Sequence, residues 1–308
     1  MRNISPILLA LVCVFAWSFI PVVSKLGQLH IDSFQFLFWT NFLSALAVGL
    51  TIKPSKKHLI ETIKQTNYKQ TVLLGFLGCF FYYLCLYYGY AHGNTTDVLV
   101  VQYLWPALVP VFAVLFLKER LNVYKVVSIV LGFFAAVIVF TKGDVLSIGF
   151  SGAFVLLTVF VGATSFALFS VFSKMEHRVD VSFSVFMYFL WASIFSFISI
   201  VAWSNLVIPD LESVLIILVN GVFINGLSYI LWVYALSKED ASKIAPLVYI
   251  SPVLSVVWIS LIFGDSITVT NITAVALVVA SGLLVTTEDK FIPRHITKVF
   301  SRHTKKER

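Results

Sequence analysis

Apolar segments of membrane-crossing length recur along the whole chain, with only short polar stretches between them. A helix that crosses the hydrocarbon core of a bilayer needs about 20 predominantly apolar residues. Of the 308 residues, 59% are hydrophobic and 12% charged, and the mean hydropathy is +0.94, so no soluble domain is expected. The pattern predicts an all-α membrane protein with ten transmembrane helices, approximately Ser5–Ser24, Ser33–Ile52, Thr71–Tyr90, Asp97–Leu117, Val123–Thr141, Gly149–Ser173, Val181–Trp203, Glu212–Leu236, Ala241–Phe263 and Ile267–Thr287.

The distribution of lysine and arginine predicts the orientation of these helices. If the N-terminus is inside, only Lys25 and Lys142 of the 22 basic residues face outward, which leaves 20 inside. This asymmetry follows the positive-inside rule, so we expect a multi-pass protein of the cell inner membrane with both termini cytoplasmic. The net charge of +7 is divided among many short loops, which indicates topology and not nucleic-acid binding.

A short motif occurs twice. Tyr103-Leu104-Trp105-Pro106 and Tyr249-Ile250-Ser251-Pro252 share the pattern Tyr-x-x-Pro, and an acidic residue follows each proline after thirteen positions. Internal repeats in membrane transporters place the substrate site at the interface between the repeats.

The repeats are predicted to have opposite orientations. The first predicted helix ends in Ser24-Lys25 and the sixth in Ser173-Lys174, and five helices separate them. We therefore expect two inverted-topology five-helix repeats, residues 1–147 and 148–288, followed by a basic cytoplasmic tail at 289–308. Such an arrangement permits alternating access. The tail is expected to lie on the anionic inner leaflet, with binding of a partner as the alternative.

The chemistry of an enzyme is missing from the sequence. No HExxH, GxSxG or GxGD motif occurs, and every acidic residue falls at a predicted helix end or in a loop. We expect no catalytic residue, no cofactor and no metal site. Cys13, Cys79 and Cys85 lie within predicted helices without metal-ligand spacing and are expected to be buried and inert.

Two pairs of polar residues at helix ends have alternative interpretations. His92 and Asp97 are the only plausible proton-handling pair, but the same turn could simply cap the fourth helix. Glu119 and Asp265 occupy equivalent places in the two halves, where the N-terminus of the following helix would favour an acid. For these two acids a structural role is favoured over a catalytic one, with Asn122 and Thr268 as possible caps.

Polar and aromatic residues within the predicted helices are the candidates for a substrate site, because polar groups are costly in lipid and tend to face a cavity. Tyr and Trp also gather at membrane interfaces whatever a protein does, which is the alternative for the aromatic ones. The predicted substrate-binding residues are Trp17, Tyr83, Tyr87, Gln102, Tyr103, Trp105, Asn225, Tyr229, Trp232 and Tyr249, and the predicted helix-breaking residues are Pro106 and Pro252.

The composition of this predicted site favours one class of substrate. An aromatic wall suits molecules with apolar bodies, whereas a phosphorylated substrate would require several Arg or Lys residues. No Lys or Arg lies in the middle of a predicted helix. We therefore expect neutral or zwitterionic amino acids.

Two segments carry a family resemblance, namely Val101-Gln102-Tyr103-Leu104-Trp105-Pro106 and Phe116-Leu117-Lys118-Glu119-Arg120-Leu121. Together with the ten helices and inverted halves, they resemble the EamA branch of the drug/metabolite transporter superfamily across nearly the whole chain. The segment after Tyr103 is similar to bacterial aromatic amino acid exporters, although the charged Lys118-Glu119-Arg120 differs from them.

The resemblance implies a carrier that exports amino acids or related metabolites through a central cavity walled by helices 1, 3, 4, 6, 8 and 9. Other branches of the superfamily carry sugar-phosphates, nucleotide-sugars, riboflavin or drugs, which remain alternatives. We expect a monomer whose partners are a small-molecule substrate and the bilayer. A membrane scaffold or receptor is the rival from another class, and it would not require Gln102 and Asn225 to converge on one space.

Overall fold

A computed structural model describes residues 4–52, 56–93, 95–141, 143–144, 146, 152–175, 180–263 and 269–291. Within these ranges the regular elements are helices, and no residue lies in a strand. A short helix, Lys56–Gln65, connects the second and third of the ten helical elements that we number in chain order. They are α1 (Pro6–Trp17 and Ile20–Gly27), α2 (Ser33–Thr51), α3 (Tyr68–Leu74, Gly75–Phe81 and Tyr82–His92), α4 (Thr95–Gln102 and Trp105–Leu117), α5 (Val123–Phe140), α6 (Ala153–Lys174), α7 (Val181–Trp203), α8 (Leu211–Leu218, Val219–Leu227 and Ser228–Lys238), α9 (Ala241–Ile244, Ala245–Tyr249 and Ile250–Phe263) and α10 (Val269–Phe291).

Most of these helices are long and apolar enough to cross a membrane. In the described part of the chain eight meet both conditions, namely α1 to α4 and α6 to α9. The other two, α5 and α10, contain shorter apolar stretches, Val123–Ile138 and Ile272–Ser281. The predicted all-α membrane protein is confirmed, whereas the count of ten spans stays a prediction.

Helices from the first part of the chain pack against helices from the second. The pairs α2 with α7, α3 with α6, α1 with α8 and α5 with α10 make the most extensive contacts. Small residues allow close approach: a Cβ added to Gly78 would lie 2.2 Å from the ring of Phe169 on α6. Close backbone contact of this kind drives helix association in lipid, where apolar burial contributes little.

Two helices contain π-helical segments, Gly75–Phe81 in α3 and Val219–Leu227 in α8. The change from i→i+4 to i→i+5 bonding alters which carbonyls are paired within the helix. Neighbouring helices use carbonyls in these segments, because Ser165 Oγ donates to Leu77 O at 2.7 Å and Ser44 Oγ to Gly221 O at 2.8 Å. The π-helical segments are therefore held by tertiary hydrogen bonds.

Three helices are interrupted. Helix α1 breaks between Trp17 and Ile20, α4 breaks between Gln102 and Trp105, and α9 contains the 3-10 segment Ala245–Tyr249. A proline follows each break within one turn. Proline is tolerated in the first turn of a helix, because the N–H group that it lacks would have no partner within the helix there. These prolines are Pro21, Pro106 and Pro252, so the two predicted helix-breaking residues lie at breaks.

Some predictions fall where nothing is described. Asp265 and Thr268, the repeat boundary near residue 147 and the tail beyond residue 291 lie outside the described residues. The three cysteines are described, and all are free and buried as predicted.

Candidate functional site

A cavity of about 590 Å³ lies among α1, α3, α4, α6 and α9. It reaches the exposed side chain of Lys25, and we call this end of the molecule the Lys25 end. Its volume falls within the range of roughly 300–1,000 Å³ that small-molecule sites occupy. The residues that line it are Trp17, Ile20, Pro21, Ser24, Lys25, Gln28, Tyr82, Tyr83, Leu86, Tyr87, Leu99, Gln102, Tyr103, Trp105, Phe166, Val248 and Ser251.

A layer of five aromatic side chains closes the inner end of this cavity. We define the aromatic layer as Trp17, Trp105, Phe166, Tyr229 and Trp232. Ring centroids are 4.7 Å apart for Trp105 and Phe166, 5.1 Å for Trp17 and Trp232, and 5.7 Å for Trp17 and Tyr229. Edge-to-face and tilted pairs at these distances are favourable. The layer joins α1, α4, α6 and α8, so it seals the middle of the bundle.

Hydrogen bonds fix the polar wall of the cavity. Gln102 Nε2 donates to the hydroxyl of Tyr82 at 2.8 Å, and the hydroxyl of Tyr83 donates to Asn225 Oδ1 at 3.2 Å. The hydroxyl of Tyr229 donates to that of Tyr83, also at 3.2 Å. Gln102 and Asn225 are both buried, and each hydrogen-bonds to one of two adjacent tyrosines of α3. Only Gln102 of the two lines the cavity, so their convergence on one space stays a prediction.

Six of the ten predicted site residues line the cavity: Trp17, Tyr83, Tyr87, Gln102, Tyr103 and Trp105. The three on α8 do not, although the resemblance placed that helix in the wall. Tyr229 and Trp232 are fully buried in the aromatic layer, and Asn225 is engaged by Tyr83 behind the wall. Helix α8 therefore supports the wall without lining it. Whether the six bind substrate stays a prediction.

Tyr249 also lies away from the cavity. Its ring packs against α5, where a Cβ on Gly132 would lie 2.3 Å from it. The cause is local, because Tyr249 ends a 3-10 segment of five residues. A 3-10 helix has 3.0 residues per turn and an α-helix has 3.6, so each residue of the segment rotates the side-chain direction by roughly 20° more than in an α-helix. Over five residues the difference is about 100°. Ser251 faces the cavity instead, 3.5 Å from the hydroxyl of Tyr103.

Eleven of the seventeen lining residues were not among the predicted site residues, and three of these contribute a charge or an aromatic ring to the wall. Lys25 was interpreted only as a marker of topology, but it is the one charged side chain among the residues that line the described cavity. Tyr82 and Phe166 also line it. The sequence contained a signal for Phe166, which is the last residue of the segment Ala163-Thr164-Ser165-Phe166. This segment corresponds to Ala16-Trp17-Ser18-Phe19 on α1, which contains the predicted site residue Trp17.

The opposite end of the molecule, which we call the Glu119 end, is closed by charged groups. Glu119 follows α4, and its carboxylate accepts four hydrogen bonds. The donors are Lys174 Nζ at 2.7 Å, the backbone N–H groups of Ala241 at 2.9 Å and Ser242 at 3.0 Å, and Ser242 Oγ at 2.8 Å. Glu119 therefore caps α9. The sequence had suggested that its partner would be the N-terminus of the helix that follows it, α5, and this prediction was wrong.

Further lysines hold the same end together. Lys174 also donates to Glu239 O at 2.7 Å. Lys125 Nζ lies 3.1 Å from Asp240 Oδ2, and its side chain is 3% exposed. The connection between α8 and α9 is thus attached to both α5 and α6.

The environment of Glu119 keeps it ionised. Burial would raise the pKa of its carboxyl, but the hydrogen bonds from Lys174, Ser242 and Ala241 outweigh burial and hold the pKa below its ordinary value. Its position depends on Lys118, which has φ of 57° and ends α4 in a left-handed conformation. The N–H of Glu119 then bonds to Ala113 O at 3.2 Å, as in a helix C-cap.

The remaining polar predictions at helix ends have mixed outcomes. Asn122 caps α5, because its Oδ1 accepts from Lys125 N at 2.9 Å. The ring of His92 is exposed and stacks on Tyr88 at 4.3 Å. Asp97 is only 3% exposed and lies in the first turn of α4.

The sequence of the chain is similar to those of known membrane transporters. The family model described as the EamA-like transporter family matches the chain twice, at residues 4–141 and at 153–287. An uncharacterized transporter of Bacillus subtilis, YoaV, is 26% identical over 280 residues, which are 88% of this chain and 92% of that protein. The pseudopaline exporter CntI of Pseudomonas aeruginosa is 24% identical over 285 residues, covering 91% and 93%.

A solved structure shares the fold. A crystal structure of another protein superposes with a TM-score of 0.80 at 18% sequence identity, covering 91% of this chain and 96% of that one. At this identity the similarity concerns the fold alone.

Proposed function

This chain belongs to the EamA-like transporter family, and we propose that it exports aromatic or other neutral amino acids, or related metabolites that carry a carboxylate. Members of the family are transporters and not enzymes, so a small-molecule substrate and a lipid bilayer are its partners. The observation that carries the proposal is the cavity, with its aromatic walls and a single cation at its exposed end.

The chemistry of the wall supports this class of substrate. Trp17, Trp105, Phe166 and the tyrosines of α3 present apolar faces, which suit an apolar or aromatic side chain. Lys25 supplies one positive charge, which suits one carboxylate. A sugar-phosphate or nucleotide-sugar would be better served by several clustered cations. The hydroxyls of Tyr83, Tyr103 and Ser251 can orient a substrate amino group.

Two inverted repeats and alternating access are the mechanism we propose. The same family model matches both halves of the chain. Exchange of equivalent helices maps the observed contacts onto one another, since α1 packs on α8 as α6 packs on α3, and α2 contacts the π-helical segment of α8 as α7 contacts that of α3. Rocking of one half on the other would open the two ends in turn.

The distribution of lysine supports an orientation for this motion. Lys118, Lys125, Lys174, Lys238 and Lys243 all lie at or near the Glu119 end, so by the positive-inside rule we assign that end to the cytoplasm. The Lys25 end then faces outward. In this assignment the described conformation has a cavity open to the outside and a closed cytoplasmic end, which is the state that releases an exported substrate.

Counterflow in proteoliposomes tests the transport proposal. Purified protein should exchange labelled phenylalanine or leucine for the unlabelled amino acid. The amide and the decarboxylated amine of each should compete at least about tenfold less well, since a hydrogen bond to a charged group contributes about 1.5–3 kcal/mol and about 1.4 kcal/mol corresponds to a tenfold change. Pseudopaline belongs in the same panel, because CntI is named as its exporter.

Two results would contradict this proposal. Absence of counterflow with every compound in the panel would reject the proposed class of substrate. Equal competition by the amine and the amino acid would exclude the carboxylate requirement.

The orientation is tested separately. The native cysteines are buried, so a cysteine placed at the exposed Lys64 should be the main reactive thiol. An impermeant thiol reagent should modify Lys64→Cys only in permeabilised cells. Modification in intact cells would reverse the assigned topology.

A further inference from the structure

The cap of α9 comes from a distant part of the chain. A helix is usually capped by the residue just before it. Asp240 occupies that position in α9, yet its side chain makes no capping hydrogen bond. The carboxylate of Glu119, 122 positions before Ala241, accepts from the N–H groups of Ala241 and Ser242 instead. The interaction at the start of α9 is therefore also a contact between the two matched regions of the chain.

Lys174 completes this contact. Its ammonium group donates to Glu119 Oε1 and to Glu239 O, both at 2.7 Å. The side chains of Glu119 and Lys174 are only 6% and 15% exposed. One carboxylate thus joins the end of α4 to the end of α6 and the start of α9, with little water to replace any bond that breaks.

The corresponding lysine at the other end has a different environment. Ser24-Lys25 lies at the end of α1, and Ser173-Lys174 lies at the end of α6, so each lysine follows a serine at the end of an equivalent helix. Lys25 is exposed and lines the cavity, whereas Lys174 is largely buried in the closed end. In one conformation, therefore, the lysine at the closed end pairs with a carboxylate from the other half and its counterpart borders the opening.

On the basis of the proposed alternating access, we propose that Glu119, Lys174 and the N-terminus of α9 form a releasable latch. The latch keeps the Glu119 end closed while the Lys25 end is open. Opening of the Glu119 end requires the carboxylate to leave the N–H groups of Ala241 and Ser242. Glu119 is accordingly a positioning residue of the transport cycle, because it sets which end is open without touching substrate.

Two reporter cysteines distinguish a latch from a merely structural contact. Ser173→Cys places a thiol at the buried Glu119 end, and Ser24→Cys places one in the cavity wall. Each is combined with Glu119→Gln, which keeps the shape of the side chain and removes its charge. The labelling rate is measured with an impermeant thiol reagent in detergent, where both ends are accessible to the reagent.

We expect Glu119→Gln to raise the labelling rate of Ser173→Cys about tenfold and to lower that of Ser24→Cys several-fold, because the two ends open in turn. The matched control is Glu212→Gln, an exposed acid in the first turn of α8, which should change neither rate.

Other outcomes would overturn the latch. Faster labelling at both reporters would indicate general loosening of the fold, and unchanged labelling at both would show that Glu119 does not control opening. These results leave the transport proposal intact, because that proposal is tested by counterflow of the unmodified protein.

Discussion

The two ends of the molecule differ in what their polar contacts connect. At the Glu119 end, Glu119, Lys174 and Lys125 join α4, α5 and α6 to the start of α9. At the Lys25 end, the described contacts of Gln35 and Trp39 run from α2 to Val207, at 3.1 and 3.3 Å. They follow one flank of the bundle and do not cross the cavity. Gln35 and Trp39 belong to the first matched region and Val207 to the second, so contacts between the halves occur at both ends. The contacts at the Glu119 end differ because they join α4 and α6 to α9, three helices that line the cavity, and the comparison teaches that closure of an end depends on contacts of this kind.

Removal of a charge from the closed end should have the largest effect. Lys174→Met leaves the buried carboxylate of Glu119 without its cation, and loss of one partner of a buried pair costs about 3–5 kcal/mol. We expect the free energy of unfolding in detergent to fall by about that amount. Lys64→Met, an exposed lysine, should stay within about 0.5 kcal/mol of the unmodified protein. Equal effects of the two substitutions would show that the buried pair of Lys174 and Glu119 contributes no more to stability than an exposed lysine does.

Removal of the charge of Lys25 at the open end should change the affinity for substrate and not the free energy of unfolding. Lys25→Met should weaken the apparent affinity for a transported amino acid about tenfold, or about 1.4 kcal/mol, through loss of the carboxylate contact. The affinity for the corresponding amide should hardly change. Competition in counterflow measures both, with Lys64→Met as the control. A similar loss for the amide and the amino acid would indicate that Lys25 acts on folding.

The two repeated tyrosines allow a finer test. Tyr103 lines the cavity, whereas the buried hydroxyl of Tyr249 has no hydrogen-bond partner in the described part of the chain. A buried unsatisfied group costs about 1–3 kcal/mol. Tyr249→Phe should therefore raise the free energy of unfolding by about 1 kcal/mol and leave counterflow unaltered, while Tyr103→Phe should reduce apparent affinity several-fold. Loss of transport in Tyr249→Phe would restore the prediction made from the sequence.

The smallest effect is expected from pH. The pKa of Glu119 lies below its ordinary value of 4.5, so its stabilising contribution is present above that pH and is lost as the pH falls through the lowered pKa. The difference in unfolding free energy between the protein and Glu119→Gln should be constant between about pH 5 and pH 8. A difference that shrinks by half between about pH 8 and pH 6 would mean that Glu119 is protonated near neutrality.

Much of the architecture could be predicted from the sequence, because lipid imposes a length and an apolar composition on each span. The residues at helix breaks followed from chemistry as well, since a proline cannot donate a helical hydrogen bond. Tyr83 and Tyr87 could be placed on one face of α3 from their spacing, and both line the cavity. These predictions depend on local properties of the chain.

The errors have two sources, namely local departures from α-helical geometry that were not predicted and contacts with distant parts of the chain. Tyr249 is turned away because a 3-10 segment changes its direction. Asn225 is engaged from across the bundle by Tyr83, 142 positions earlier in the chain. Glu119 caps a helix that begins 122 positions after it, so its partner could not be identified from the residues beside it. Lys25 lines the cavity, and it follows a break in α1 between Trp17 and Ile20 that was not predicted.

A cross-link across the Glu119 end tests the central claim most directly. The backbone oxygen of Arg120 and Asp240 Oδ2 lie 3.2 and 3.1 Å from the same nitrogen, Lys125 Nζ, so these two residues are close to each other although they belong to different halves. In the double variant Arg120→Cys with Asp240→Cys, a short cleavable thiol cross-linker leaves Glu119 and Lys174 in place. We predict that cross-linking abolishes counterflow and that cleavage of the linker restores it to the rate of the untreated variant. Counterflow at an undiminished rate in fully cross-linked protein would show that this end does not open during transport.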